Sequence, residues 1–92
     1  MRIDWARPAI DDLRDAGEYI ARDNPTAASR MAACVVEAVE SLAGQPNIGR
    51  PGRVINTREL VVTGNPFLII YRVQLGALQV LRVLHHARRW PE

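Results

Sequence analysis

Ninety-two residues with twelve arginines against ten acids, a net charge of +2, leave room for one small domain and no second core. The single cysteine, Cys34, excludes an internal disulfide and cannot build a zinc cluster alone; no metal or cofactor is expected. With no long apolar run and no charged-then-apolar leader, a soluble cytoplasmic protein that avoids membranes is expected.

Every basic residue is arginine, whose rigid fork suits phosphate and carboxylate. Residues 1–45 hold five arginines and eight acids, a net of −3, while residues 46–92 hold seven and two, a net of +5. That polarity predicts a basic face built from the C-terminal half, fitted to nucleic acid or an acidic protein segment.

Residues 1–5 alternate loosely and are short enough for an edge strand. A helix is predicted from Pro8, since proline suits the first turn, with Asp11 and Asp12 at its positive end. Its apolar stripe is Ile10, Leu13, Gly17 and Ile20, at spacings of three and four. The stretch DNPTAAS ends that helix and starts another, with Asn24 as N-cap and Pro25 first. Met31, Val35, Val39 and Leu42 line the second helix, which Gly44 stops, and Cys34 reads as a buried thiol within this pattern. A short turn between two helices makes a helical hairpin.

Residues 45–52 are rich in Pro and Gly and read as a loop. Three strands follow: 57–63 (TRELVVT), 67–74 (FLIIYRVQ) after the turn TGNP, and 78–84 (LQVLRVL) after LGA. Short connections imply an antiparallel meander, and the fold class is α+β, a β-α-α-β-β-β chain with its helical hairpin on one sheet face. Phe67, Ile69, Tyr71 and Val73 point one way, Leu68 and Ile70 the other; Val80 and Leu84 oppose Leu81 and Val83. Both faces are therefore apolar, and one hairpin covers only one. The loop at 45–56 or the N-terminal strand could close the second face, but a partner chain is the stronger expectation.

Four segments, RIDWARPAIDDL, IGRPGRVINTRELVV, NPFLIIYRV and LRVLHHARRWPE, run in order over nearly the whole chain. In them the sequence resembles the RelE/ParE superfamily, toxins of type II toxin–antitoxin modules. The resemblance implies two helices on an antiparallel sheet, growth arrest, and a cognate antitoxin whose tail wraps the toxin, in a heterotetramer or larger complex. Leu68, Ile70, Leu81 and Val83 would then be antitoxin-binding residues, reached by strand addition or helix-in-groove contacts.

The superfamily divides between ParE-like poisons of DNA gyrase and RelE-like endoribonucleases that cut mRNA in the ribosome. Cleavage needs proton transfer and charge stabilisation, for which His85, or His86, and Arg88 are the candidates. On the strand's alternation His85 shares a face with Leu81 and Val83, and His86 with Leu84 and Arg82. Arg58, Arg72, Arg82, Arg88, Arg89 and Trp90 are the candidate contacts to target or nucleic acid. Against the RelE-type pattern the chain has no lysines after the hairpin, only Arg53 and Arg58 nearby, and Leu68 where that pattern places an arginine. It ends in Trp90-Pro91-Glu92 rather than a stacking tyrosine, while Arg88 matches a phosphate-binding arginine. The ending and the YRV strand place the resemblance nearer ParE. Trp90 could stack on a base or plug the core against the helical hairpin, Trp5 reads as core, and Glu59 is expected to pair with Arg72.

Overall fold

β1 (Arg2–Trp5) passes through Ala6 into α1 (Arg7–Ala21), and α2 (Pro25–Gly44) folds back against it. The remaining strands are β2 (Arg50–Pro51), β3 (Arg58–Val61), β4 (Phe67–Gln74) and β5 (Ala77–His85). The computed structural model describes residues 1–85 and 90. Among these, no helix is long and apolar enough to cross a membrane.

Local chemistry explains the helix ends. Asn24 turns its side-chain oxygen to the Ala27 N–H at 3.0 Å, Pro25 opens α2, and Gly44 closes it, as the sequence predicts. The apolar side of α1 is Ala9, Leu13, Ala16 and Ile20 rather than a stripe through Ile10, which is exposed. In α2 the buried positions are Met31, Val35, Val39 and Leu42. Cys34 precedes Val35 by one position, about 100° round the helix, so its thiol is exposed rather than buried.

The five strands form one sheet in the order β1-β5-β4-β3-β2. The meander β3-β4-β5 is antiparallel as expected, and β1 adds to β5 in parallel, making the sheet mixed. Within the segment expected to be loop, Arg50 and Pro51 pair with Glu59 and Arg58 as the second edge. β4 and β5 are joined by Leu75 and Gly76, both at positive φ (54° and 74°), as a two-residue turn matched to the sheet's twist requires.

One irregularity redistributes the side chains. Ile70 pairs with Arg82 but Tyr71 pairs with Val80, leaving Leu81 as the extra residue of a β-bulge. A bulge shifts the inside–outside alternation by one. Val80 and Val83 therefore share the helix-side core with Ile69, Tyr71 and Leu78, while Leu81 and Leu84 lie with Leu68 and Ile70. This corrects two expectations. Val83 belongs to the helix-side core, not to a second face open to an antitoxin, and Leu84 exchanges places with it.

The second face is not bare either. Leu68, Ile70 and Leu84 are only 7%, 1% and 3% exposed, and Leu81 and Trp90 pack against them. Among the described hydrophobic residues packed against this cluster, none comes from the 45–56 loop or β1. Trp90 joins this cluster, not the helical hairpin. Trp5, as expected, packs against the main core.

Candidate functional site

The described candidate residues lie toward the two ends of the sheet. At one end, β1 stops opposite Val80, where the Ala6 N–H still reaches the Val80 carbonyl at 2.9 Å. Beyond it β5 continues alone on that side, and Asp12 of α1 takes the vacated place. Its carboxylate accepts the Val83 N–H at 3.0 Å and two donors of Arg82, Nε at 2.7 Å and Nη2 at 2.9 Å. Asp12 thus ties α1 to β5 and does not serve the positive end of its helix; Asp11 pairs instead with Arg14. Arg82, a candidate target contact, is held by this carboxylate.

His85 closes the same end. It lies opposite Phe67 and meets that ring edge-on, with centroids 6.0 Å apart. It shares its side with Val83, as predicted, but not with Leu81, which the bulge has moved. A cavity of about 480 Å³ opens beside it, lined by Asp15, Tyr19, Phe67 and Val83. His86, Arg88 and Arg89 lie outside the described residues.

At the other end, the loop after α2 is pinned to the sheet by Tyr71. Its hydroxyl donates to the Pro46 carbonyl at 2.7 Å and accepts the Gly49 N–H at 3.0 Å. A Cβ on Gly49 would fall 2.4 Å from that oxygen, so only glycine allows the approach. Arg58 adds a clasp, its Nη1 reaching the carbonyls of Gly49 at 2.8 Å and Asn47 at 3.3 Å. Thr57 caps the loop through its hydroxyl, 2.6 Å from the Val54 carbonyl.

Burial pushes the Tyr71 phenol above its ordinary value, against the opposing pull of the Gly49 N–H and the Arg58 charge. The unfolded phenol ionises near pH ~10, before the folded one does. Stability from this group is complete below that pH and falls as pH rises through it. Denaturant midpoints measured across the alkaline range should decline, and Tyr71→Phe should flatten the decline; an unchanged slope contradicts this account.

Arg58 and Arg72 both line a cavity of about 510 Å³, with Asn47, Asn56, Thr57 and Val73. Arg72 pairs with Gln79, its Nε 2.6 Å from Oε1, rather than with Glu59. Glu59 reaches Arg50 across the β2–β3 pair at 3.2 Å. The expected partnership fails because Glu59 lies opposite Ile70, whereas Arg72 lies past the end of β3. Among the described residues, no three His, Cys, Asp or Glu side chains are grouped to hold a metal ion.

The structure therefore brings Arg58 and Arg72 together and separates them from His85. Phe67, opposite His85, and Arg72 are five residues apart on β4, about 17 Å along an extended strand. Sequence reading missed Asp12 as the tie to β5 and Tyr71 as the anchor of the loop. Two adjacent acids in a helix, and a tyrosine in an apolar strand, carry no mark of a distant partner.

A family model described as the ParE toxin of type II toxin–antitoxin system, parDE, matches residues 3–90. The chain is 42% identical over 91 residues to the Y4kP protein of Sinorhizobium fredii, covering 99% of this chain and 94% of that protein. It is 38% identical over 87 residues to Toxin RelE2 of Caulobacter vibrioides, covering 95% and 97%. Among solved structures, a chain of the chromosomal ParDE TA system from P. aeruginosa superposes with a TM-score of 0.82 at 30% identity, covering 92% of this chain and 95% of that one.

Proposed function

The chain belongs to the ParE/RelE family of type II toxins, and from that premise we propose that it arrests growth in the ParE manner, by binding and inhibiting DNA gyrase. Membership carries with it an antitoxin partner; assembly as a heterotetramer or larger complex in the cytoplasm is part of the proposal. The observation carrying the gyrase reading is the dispersal of the described candidate groups. His85 meets Phe67 edge-on at one end of the sheet, Arg82 is held by Asp12, and Arg58 and Arg72 lie at the other end. Acid–base cleavage requires its donors and acceptors within hydrogen-bond reach of one reacting phosphate. A protein that works by occupying a surface has no such requirement.

Induction of the toxin, with a DNA-damage reporter beside mapping of RNA 5′ ends, tests the reading. The expected result is a strong damage response and no translation-dependent cut sites. His85→Ala and Arg88→Ala variants that fold should remain toxic. If cut sites appear and either variant lowers cleavage by about 100-fold or more, the RelE-like endoribonuclease, the activity family of the Caulobacter relative's name, replaces gyrase inhibition.

A further inference from the structure

β4 outruns β3. Their ladder ends at the pair Arg58–Tyr71, so Arg72, Val73 and Gln74 continue toward the hairpin turn paired with β5 but with no strand on the β3 side. The ladder to β5 closes on the pair Gln74–Ala77, and the alternation along β4 then turns the Val73 N–H and C=O away from β5. They face the cavity of about 510 Å³ bounded by the 47–57 loop. A short open strand edge thus lies inside a concave site.

The charges around this edge are of one sign. Arg58 lies opposite Tyr71, whose ring belongs to the helix-side core, so it flanks the edge on that face. Arg72 is one residue out of phase with Tyr71 and flanks it on the other face, beside Gln79. The remaining lining side chains among the described residues are neutral, Asn47, Asn56, Thr57 and Val73 among them, with no acid. Arg58 uses only Nη1 and Arg72 only Nε in hydrogen bonds among the described residues, which leaves guanidinium donors of both for a ligand. Past the edge, Leu75 stands at the turn 90% exposed with φ of 54°, a conformation that costs a branched side chain free energy.

We propose that this edge binds an extended acidic peptide segment of a partner protein, added to β4 as a short strand with two adjacent carboxylates, one toward Arg58 and one toward Arg72. Successive side chains of a strand point to opposite faces, so neighbouring acids meet arginines that flank the edge on opposite sides. The Val73 main chain supplies the ladder contacts, and the exposed Val73 and Leu75 side chains take apolar residues on either side of the acidic pair. Nucleic acid suits the site less well. Phosphate recognition favours a broad basic stripe, and single strands favour an aromatic platform; this is one concave pair of arginines with no ring among its described lining residues. The inference concerns a binding surface and stands apart from whether gyrase is the target.

The probe is a capped peptide of about ten residues alternating Thr and Val around a central Glu–Glu pair, titrated onto the full chain by fluorescence anisotropy. The expected result is saturable binding that slows hydrogen exchange at the Val73 amide. A Gln–Gln peptide should not bind, and Arg72→Gln, which leaves the Arg58 loop clasp intact, should weaken binding about tenfold, the effect of one charge-assisted hydrogen bond. Absence of binding at millimolar Glu–Glu peptide overturns the proposal. So does a short oligonucleotide that protects Val73 and loses affinity in Arg72→Gln, since the edge would then belong to nucleic acid. The exchange measurement on the unaltered chain decides the matter even if the variant folds poorly.

Discussion

Replacing Asp12 by alanine is expected to lower the unfolding free energy by about 2–3 kcal/mol, from the loss of the two bonds donated by Arg82 and of the carboxylate that accepts the Val83 N–H. The carboxylate is 12% exposed and Arg82 is 24% exposed, so solvent restores part of what the change removes. The value therefore lies below the full cost of stranding a buried charge. What remains is the Val83 N–H, left facing the gap where β1 has ended, and an Arg82 guanidinium that has lost the Asp12 carboxylate. For a chain of this length the midpoint of thermal unfolding should fall by roughly 10–20 °C. Asp11→Ala, in an exposed pair with Arg14 one position earlier, should cost less than about 0.5 kcal/mol and is the internal control. A thermal midpoint of Asp12→Ala equal to that of the Asp11 variant would mean that the tie between α1 and β5 is not where the stability resides.

Trp90→Ala should uncover an apolar face. Leu68, Ile70 and Leu84 form a second small core whose partly buried neighbours are Leu81 and Trp90. Loss of the indole re-exposes part of that apolar area, at about 1–3 kcal/mol for a ring that is only half-buried. The larger effect should be on association, because an apolar sheet face invites contact with other chains. Dye binding specific for exposed apolar surface should rise several-fold, and the variant should sediment as a mixture of larger species. Trp90→Phe should behave nearly as the parent. A variant that binds no dye and stays a single small species would show that the strands bury these leucines unaided.

This second core bears directly on how a partner could meet the sheet. The sequence argument for a companion chain began from two apolar faces and one helical hairpin. The structure keeps both faces apolar but closes the second within the same chain. Leu68 and Ile70 are buried beneath neighbours that include Trp90, Leu81 is partly exposed, and Val83 lies on the other side altogether. The case for the partner therefore passes from exposed grease to family membership and to the open edge of β4.

Periodicity and local capping made most of the fold legible. The Asn24–Pro25 start of α2, its 31-35-39-42 stripe, the Gly44 stop and the Leu75–Gly76 hairpin depend on neighbours within a few residues, so the sequence displays them directly. A bulge at Leu81 does not. It changes no residue type and breaks no local rule, yet it exchanges the faces of Val83 and Leu84. The pairing of Glu59 failed for a related reason: cross-strand partners depend on register and strand ends, which are set by the whole sheet.

By itself, the sequence determined the chain's helices and meander, its segregation of acids from arginines, and its family, because these follow from spacing, composition and the order of motifs. Only the tertiary structure decided where the charges act. Asp12 and Arg82 are 70 residues apart in the sequence, and their meeting depends on β1 stopping opposite Val80 while β5 runs on to His85. Arg58 and Arg72 converge because one strand is longer than its neighbour, a property of the pair that neither segment carries alone.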